Sequence, residues 1–160
     1  MPFVPQTRIF DVTDLDATAA LAARLAQRLR RGDIIALHGT LGVGKTSFAR
    51  ALIQTLLAEA GIVDEVPSPT FSLVQQYFLR PFTIWHFDFY RIDDPAEAYE
   101  LGIEEAFAEG VSLIEWPERI APLLPEACLE IHISTDAPMS GRRRFEFRIP
   151  EIWEARLADI

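Results

Sequence analysis

HGTLGVGKTSFAR, residues 38–50, holds most of the chemistry visible in this chain. Gly39, four further residues and then Gly44-Lys45-Thr46 have the spacing G-x-x-x-x-G-K-[ST] of a phosphate-binding loop. Each residue type has a task there. Gly39, Gly42 and Gly44 let the backbone turn and bring N–H groups against phosphate oxygens with no Cβ in the way. Lys45 puts a cation beside the β- and γ-phosphates, and Thr46 offers a hydroxyl to Mg²⁺. The helix expected after the loop points its positive end at the same anion. The whole run, Gly39, Thr40, Leu41, Gly42, Val43, Gly44, Lys45, Thr46 and Ser47, is therefore the candidate nucleotide cradle. The sequence has no N-K-x-D stretch to read guanine, so ATP is the expected nucleotide.

A magnesium nucleotide also needs a carboxylate at the end of a neighbouring strand. Two positions qualify, Asp88 at the end of TIWHFD and Glu115 at the end of VSLIE, and spacing leaves both open. His86 shares a strand face with Asp88, either lining the site or sitting satisfied in the core. His38, His86 and His132 lack close ligand spacing, so no structural zinc site is expected. There is no G-x-S-x-G, and the lone Cys128 makes no case for a nucleophile.

The elements that must position these residues follow from periodicity and turn signals. RIFDV (8–12) reads as a first strand. TDLDATAALAARLAQRLRRG reads as a helix with Thr13 as N-cap, Gly32 as stop, and Leu15, Ala22, Leu25 and Leu29 on its buried face. DIIALHG (33–39) is an apolar strand entering the glycine loop. Residues 45–61 form the helix that leaves it, with Phe48, Leu52, Leu56 and Ala60 inward and Gly61 as stop. VPSPT (66–70) must be loop. FSLVQQYF and FTIWHFDFY are separated only by LRP, too short for a parallel crossover, so they make an antiparallel hairpin. Residues 94–110 give one or two short helices broken at Gly102. VSLIEW, ACLEIHIS and RRFEFRI are strands, the latter two alternating, and 151–160 is a terminal helix. This order predicts one α/β domain over residues 1–160, a P-loop NTPase-like sandwich with a mixed sheet flanked by helices.

Composition narrows the function classes. A formal net charge of −9 argues against autonomous tight binding to nucleic acid. The one basic cluster is Arg142-Arg143-Arg144, while Arg28, Arg30 and Arg31 read as a solvated helix end. No apolar run has membrane-spanning length, the first residues lack the pattern of a secretory leader, and one cysteine allows no internal disulfide. A cytoplasmic location without membrane attachment is the expectation.

The blocks GTLGVGKTSFAR, VPSPTFSLVQQY, HFDFYRIDDPAEAYELGI and LIEWPER occur in that order, followed by LP and EIHI. Together they resemble the bacterial TsaE (YjeE) family over roughly residues 10–150. The resemblance implies a small ATPase of tRNA threonylcarbamoyladenosine synthesis that binds ATP with Mg²⁺ and hydrolyses it slowly alone. It implies TsaB and TsaD as partners, and tRNA met only indirectly through that complex. It implies that the phosphate goes to water, so no second substrate pocket is needed. By resemblance, Thr46 is the magnesium-binding threonine, Glu115 the metal-linked carboxylate and Asp88 an acidic active-site residue. Lys45, Asp88 and Glu115 are then the catalytic candidates, and Thr46, Glu115 and Asp88 the metal candidates. Ser68 and Thr70 match a switch segment whose hydroxyls sense the γ-phosphate, or are simple turn residues. Gly141 and Arg142 match a position near the nucleotide, and Trp116 packs by nucleotide, partner or core. Two other readings remain open, a small P-loop kinase with a metabolite acceptor and a nucleotide-gated binding module with negligible turnover.

Overall fold

Two short runs without exposed residues, IIALH and VSLIE, become the middle of the sheet, because only a strand covered on both faces tolerates such continuous apolarity. The computed structural model describes residues 2–160. Its elements are β1 (Gln6–Val12), α1 (Leu15–Ala26), β2 (Ile34–His38), α2 (Lys45–Glu59), β3 (Val74–Phe78), β4 (Thr83–Asp88), α3 (Glu97–Glu100), α4 (Ile103–Glu109), β5 (Val111–Glu115), a 3₁₀ segment Pro117–Leu123, β6 (Leu129–Ser134), β7 (Arg143–Ile149) and α5 (Glu151–Glu154). The strands form one seven-stranded sheet in the order β1-β7-β6-β2-β5-β4-β3. β6, β2, β5 and β4 run parallel. β1, β7 and β3 run antiparallel to their neighbours, and β3–β4 is the expected hairpin.

This topology decides where chemistry can occur. The four parallel strands end together, at His38, Asp88, Glu115 and Ser134. Because β7 is reversed, it begins at that same end with Arg143, and β1 finishes there with Val12. Ligands of open α/β sheets bind beyond these carboxyl ends.

Alternation sends residues to two layers. Leu37, Leu113, Ile131, Phe145 and Phe147 pack against Leu25 of α1 and Phe48, Leu52 and Ile53 of α2. Ala36, Ile114, Trp85 and Phe87 pack against Ile103 and Ala106 of α4 and against Ile120. Fully buried Phe48 meets Phe145 with ring centroids 5.1 Å apart. Burial of one such side chain contributes roughly 2–3 kcal/mol, and here it ties the helix that carries the phosphate loop to the sheet beneath it.

Several boundaries differ from the sequence expectation. The N-cap of α1 is Asp14, not Thr13: its Oδ1 accepts from the Ala17 N–H at 2.8 Å. Leu15 is exposed, because it precedes the first inward turn. α1 stops at Ala26 rather than running to Gly32, because the Asp33 carboxylate takes the Arg30 N–H at 2.6 Å and holds the chain in a turn. Of the arginines after α1, Arg30 is exposed, while Arg28 and Arg31 make exposed contacts to Asp159 and to the Pro81 carbonyl. In α2, Phe48 and Leu52 are buried, Leu56 is only half-buried and Ala60 is exposed. The terminal helix lasts four residues, Glu151–Glu154, after which turns seat Leu157 in the core. The break at Gly102 is real, with φ +88° and Trp85 filling the space a Cβ would occupy.

Candidate active site

The loop between β2 and α2 needs glycine for its positive φ angles and, at Gly39, because its backbone leaves no room for a side chain. Gly39 has φ +155°, and a Cβ there would fall 2.6 Å from Val43 Cγ1 and 2.8 Å from the Ile133 carbonyl oxygen. Gly44, at φ +119°, is the N-cap of α2 and carries no side-chain cap. The first N–H groups of α2 therefore face the loop without intrahelical acceptors, a positive concavity for an anion. Lys45 is buried, and its Nζ donates to the Gly39 and Thr40 carbonyls at 2.6 and 2.9 Å. Nζ also lies 4.0 Å from the centroid of the Trp116 ring, a cation–π contact. Burial pushes the Lys45 ammonium below its ordinary pKa, while Glu115, Glu118 and Asp88 pull it up.

The two candidate carboxylates are direct partners in the β4–β5 register, Asp88 opposite Glu115. Both are buried, at 4% and 2% exposure. Glu115 Oε1 accepts from Thr46 Oγ1 at 2.6 Å. Its other oxygen meets His86 Nε2 at 2.7 Å, and because a carboxylate only accepts, Nε2 carries the proton. His86 Nδ1 is then buried with no hydrogen-bond partner. Asp88 accepts the Tyr90 N–H at 3.0 Å and, weakly, the Thr70 hydroxyl at 3.4 Å. Burial holds the Asp88 pKa above the usual carboxylate value, the Tyr90 N–H opposes this, and nearby Glu115 adds to it.

This donor set fits a hard dication. Two buried carboxylates and a hydroxyl are oxygen ligands of the type Mg²⁺ takes, and Lys45 alone does not balance the two negative charges. A cleft of about 190 Å³ joins these groups, lined by Gly42, Gly44, Lys45, Thr46, Thr70 and Trp116 among others. Tyr90 leans on Trp116, ring centroids 4.8 Å apart, and closes one wall.

A larger cleft of about 580 Å³ lies beside it, lined by Asp11, Val12, Thr13, Ser134, Thr135, Asp136 and Arg142–Arg144. It exists because β1, β6 and β7 all present an end here. Arg143 links the two spaces, its Nε donating to the Val43 carbonyl at 2.6 Å. Gly141, at φ +77°, sits against the start of α1.

The structure thus brings Lys45, Thr46, Asp88, Glu115 and Thr70 together around one cleft, with Leu41 and Ser47 also on its wall. Ser68 is exposed and reaches the group only through its 2.7 Å contact with Thr70. Arg142 lines the second cleft, not the first. His86 stands behind Glu115. Nothing in the sequence marks Arg143, Thr13 and Asp136 as site residues, since only the β6–β7–β1 pairing gathers them around the larger cleft. His38 and His132, which lack close spacing in the sequence, meet as register partners on β2 and β6.

The family model described as "Threonylcarbamoyl adenosine biosynthesis protein TsaE" matches residues 12–145. The chain belongs to the TsaE family. Among TsaE relatives, the tRNA threonylcarbamoyladenosine biosynthesis protein TsaE of Rickettsia felis is 44% identical over 118 residues, covering 74% of this chain and 67% of that one. The Bacillus subtilis protein of the same name is 37% identical over 119 residues, covering 74% and 72%. The crystal structure of Bacillus subtilis YdiB has the same P-loop α/β fold, with a TM-score of 0.74 and 26% identity over 99% of this chain and 96% of that one. The span matched by the TsaE model includes the whole phosphate loop, Asp88 and Glu115. Among the described residues no helix is long and apolar enough to cross a membrane.

Proposed function

We propose that this chain is a Mg²⁺-dependent ATPase of tRNA threonylcarbamoyladenosine synthesis, slow alone and acting on a TsaB–TsaD complex, with the phosphate passed to water. The observation that carries this reading is the Thr46–Glu115 hydrogen bond of 2.6 Å, with Asp88 in register beside it at the mouth of the phosphate loop. It joins loop hydroxyl, strand-end carboxylate and helix N-terminus in one place.

Thr46 and Glu115 would hold the metal, with Asp88 next to them. When bound, Mg²⁺ supplies charge neutralisation at the β- and γ-phosphate oxygens. The chain's own residues do the rest. Lys45 exchanges the Gly39 and Thr40 carbonyls for phosphate. The α2 N–H groups bind the anion, and His86 fixes the orientation of Glu115. Asp88 is placed to orient an attacking water, and Thr70 ties the 66–73 loop to Asp88 so that this loop answers to the state of the site. The larger cleft, reached past Arg143, accommodates the nucleoside, with Gly141 and Arg142 at its rim. With the larger cleft taken by the nucleoside, no residue set for a metabolite acceptor adjoins the smaller cleft among the described residues, which favours water as acceptor.

A net charge of −9 supports contact with tRNA only through the partners, in a cytoplasmic setting. The test is phosphate release from labelled ATP by the purified chain, with and without TsaB and TsaD of the same source, together with gel filtration of the mixture. Slow release alone, faster release with both partners and an ATP-dependent complex are expected. Label appearing on a metabolite, or no association in ATP at micromolar concentrations, would overturn the proposal.

A further inference from the structure

His38 and His132 are separated by 94 positions in the chain, yet parallel pairing of β2 with β6 sets them side by side. They lie on the face of the sheet opposite α2, since their neighbours Leu37, Ile131 and Ile133 point into the α1–α2 layer. Their rings stack with centroids 4.2 Å apart and planes within 1°. Glu130, two residues before His132 and so on the same face, brings Oε1 to 3.0 Å from His38 Nε2. Glu118 of the 3₁₀ segment places a carboxylate oxygen 3.7 Å from the other nitrogen of His38, Nδ1. His132 Nε2 is enclosed by protein and has no hydrogen-bond partner.

We propose that His38, Glu130 and His132 form a second cation site, for a transition metal of the Zn²⁺ class, distinct from the magnesium site at the phosphate loop. One donor atom from each of the three already lies within 4.8 Å of the other two. Imidazole nitrogen and carboxylate oxygen are the ligands that open, three-residue zinc sites use. The site is separate in chemistry as well as in place. The phosphate-loop site offers oxygen donors, which suit Mg²⁺, whereas two imidazoles select a softer ion. Glu118 stands where a carboxylate orients a metal-bound histidine through its second nitrogen. Glu130 and Glu118 together match the charge of a dication. With Nε2 as the ligating atom of His132, a bound metal would also give that nitrogen its missing partner.

Tetrahedral bonds of about 2.0–2.1 Å set ligand atoms roughly 3.3 Å apart. Closing the cluster therefore takes at most about an ångström and a half of side-chain motion, with the stacked rings splaying toward a common point. His38 is half-buried and Glu130 is 39% exposed at its side chain, so both have room to turn. His38 directly precedes Gly39, so the metal would brace the strand end from which the phosphate loop departs.

The experiment is titration of the full chain with Zn²⁺ in excess Mg²⁺, read by calorimetry, and with Co²⁺, read by its visible ligand-field absorption. One equivalent should bind with a tetrahedral Co²⁺ spectrum. His132→Ala and, as a second and milder variant, His38→Asn should each weaken binding at least about tenfold, with unchanged far-ultraviolet circular dichroism. Glu115→Gln should leave the Zn²⁺ affinity unaltered. Absence of stoichiometric binding at micromolar metal would overturn the assignment. So would binding that survives both histidine variants, or that is lost in Glu115→Gln and therefore belongs to the phosphate-loop site.

Discussion

Glu115→Gln separates charge from shape at the centre of the site. The carboxylate accepts two hydrogen bonds, from Thr46 at 2.6 Å and His86 at 2.7 Å. Glutamine can keep both contacts: its carbonyl faces the His86 N–H, and its amide donates to Thr46 once that hydroxyl turns. What is lost is charge assistance, which distinguishes bonds of about 1.5–3 kcal/mol from neutral ones of about 0.5–1.5. Two bonds would cost about 1–3 kcal/mol. That loss is offset by removing a buried charge placed opposite Asp88. The net effect on the apo fold should therefore stay within about 2 kcal/mol, or a melting shift under about 8 °C at this size. Metal-dependent turnover has no such compensation, since the amide carries no charge toward the dication. ATP should still bind by calorimetry, while phosphate release at saturating Mg²⁺, with TsaB and TsaD present, should fall by a factor of about ten or more. Turnover within twofold of the parent would refute the placement of Glu115 at the metal. A melting temperature lowered by far more than the stated shift would instead reassign Glu115 to the fold.

Lys45→Ala removes the cation that bridges the Gly39 and Thr40 carbonyls, and should abolish turnover and weaken ATP binding, measured by calorimetry. Gly39→Ala places a methyl within 2.6 Å of Val43 and 2.8 Å of the Ile133 carbonyl, and should cost about 1–3 kcal/mol by urea unfolding and impair ATP binding. Asp88 supplies a pH signature. Its pKa is raised in the fold, chiefly by burial, so the native state binds its proton more tightly than the unfolded chain does. That contribution to stability is fully present below the unfolded value and is lost as pH rises through the folded value. The metal-free protein should then gain stability on acidification through this window relative to Asp88→Asn, with Mg²⁺ reducing the difference; identical profiles by calorimetric melting would count against it.

Much of the site could be read from residue types because the chemistry of a phosphate loop is local. Gly39 to Thr46 lie in one short loop and the helix start after it, and the ends of the apolar runs TIWHFD and VSLIE place Asp88 and Glu115 at strand ends. The hairpin was legible because three residues cannot make a crossover, and β5 because its burial demands continuous apolarity. What sequence left open depends on pairing between distant segments. Nothing in the spacing says that Glu115, rather than Asp88, touches Thr46; the lateral order β2-β5-β4 decides it, since β5 lies next to β2. The same holds for Arg143, which reaches Val43 only because β7 runs backward beside β6, and for His38 and His132. Helix ends were misread where a side chain acted across the break, as when Asp33 captured the Arg30 N–H and ended α1 early.

The direct pairing of Asp88 with Glu115 across β4 and β5 makes the two kinds of mutation unequal. Replacing either carboxylate edits one functional group and leaves its neighbour where it was. Deleting or inserting one residue upstream within β5 turns Glu115 to the opposite face of the sheet, away from Thr46 and His86, and sends Leu113 and Ile114 to the wrong layers with it. Catalysis and core packing would fail in the same event. The 61–65 segment after α2, exposed throughout, outside the ladder and away from both clefts, carries no such penalty for a change of length. Length variation among descendants of this chain should therefore accumulate there and be purged from β4 and β5, whatever amino acids those strands come to hold.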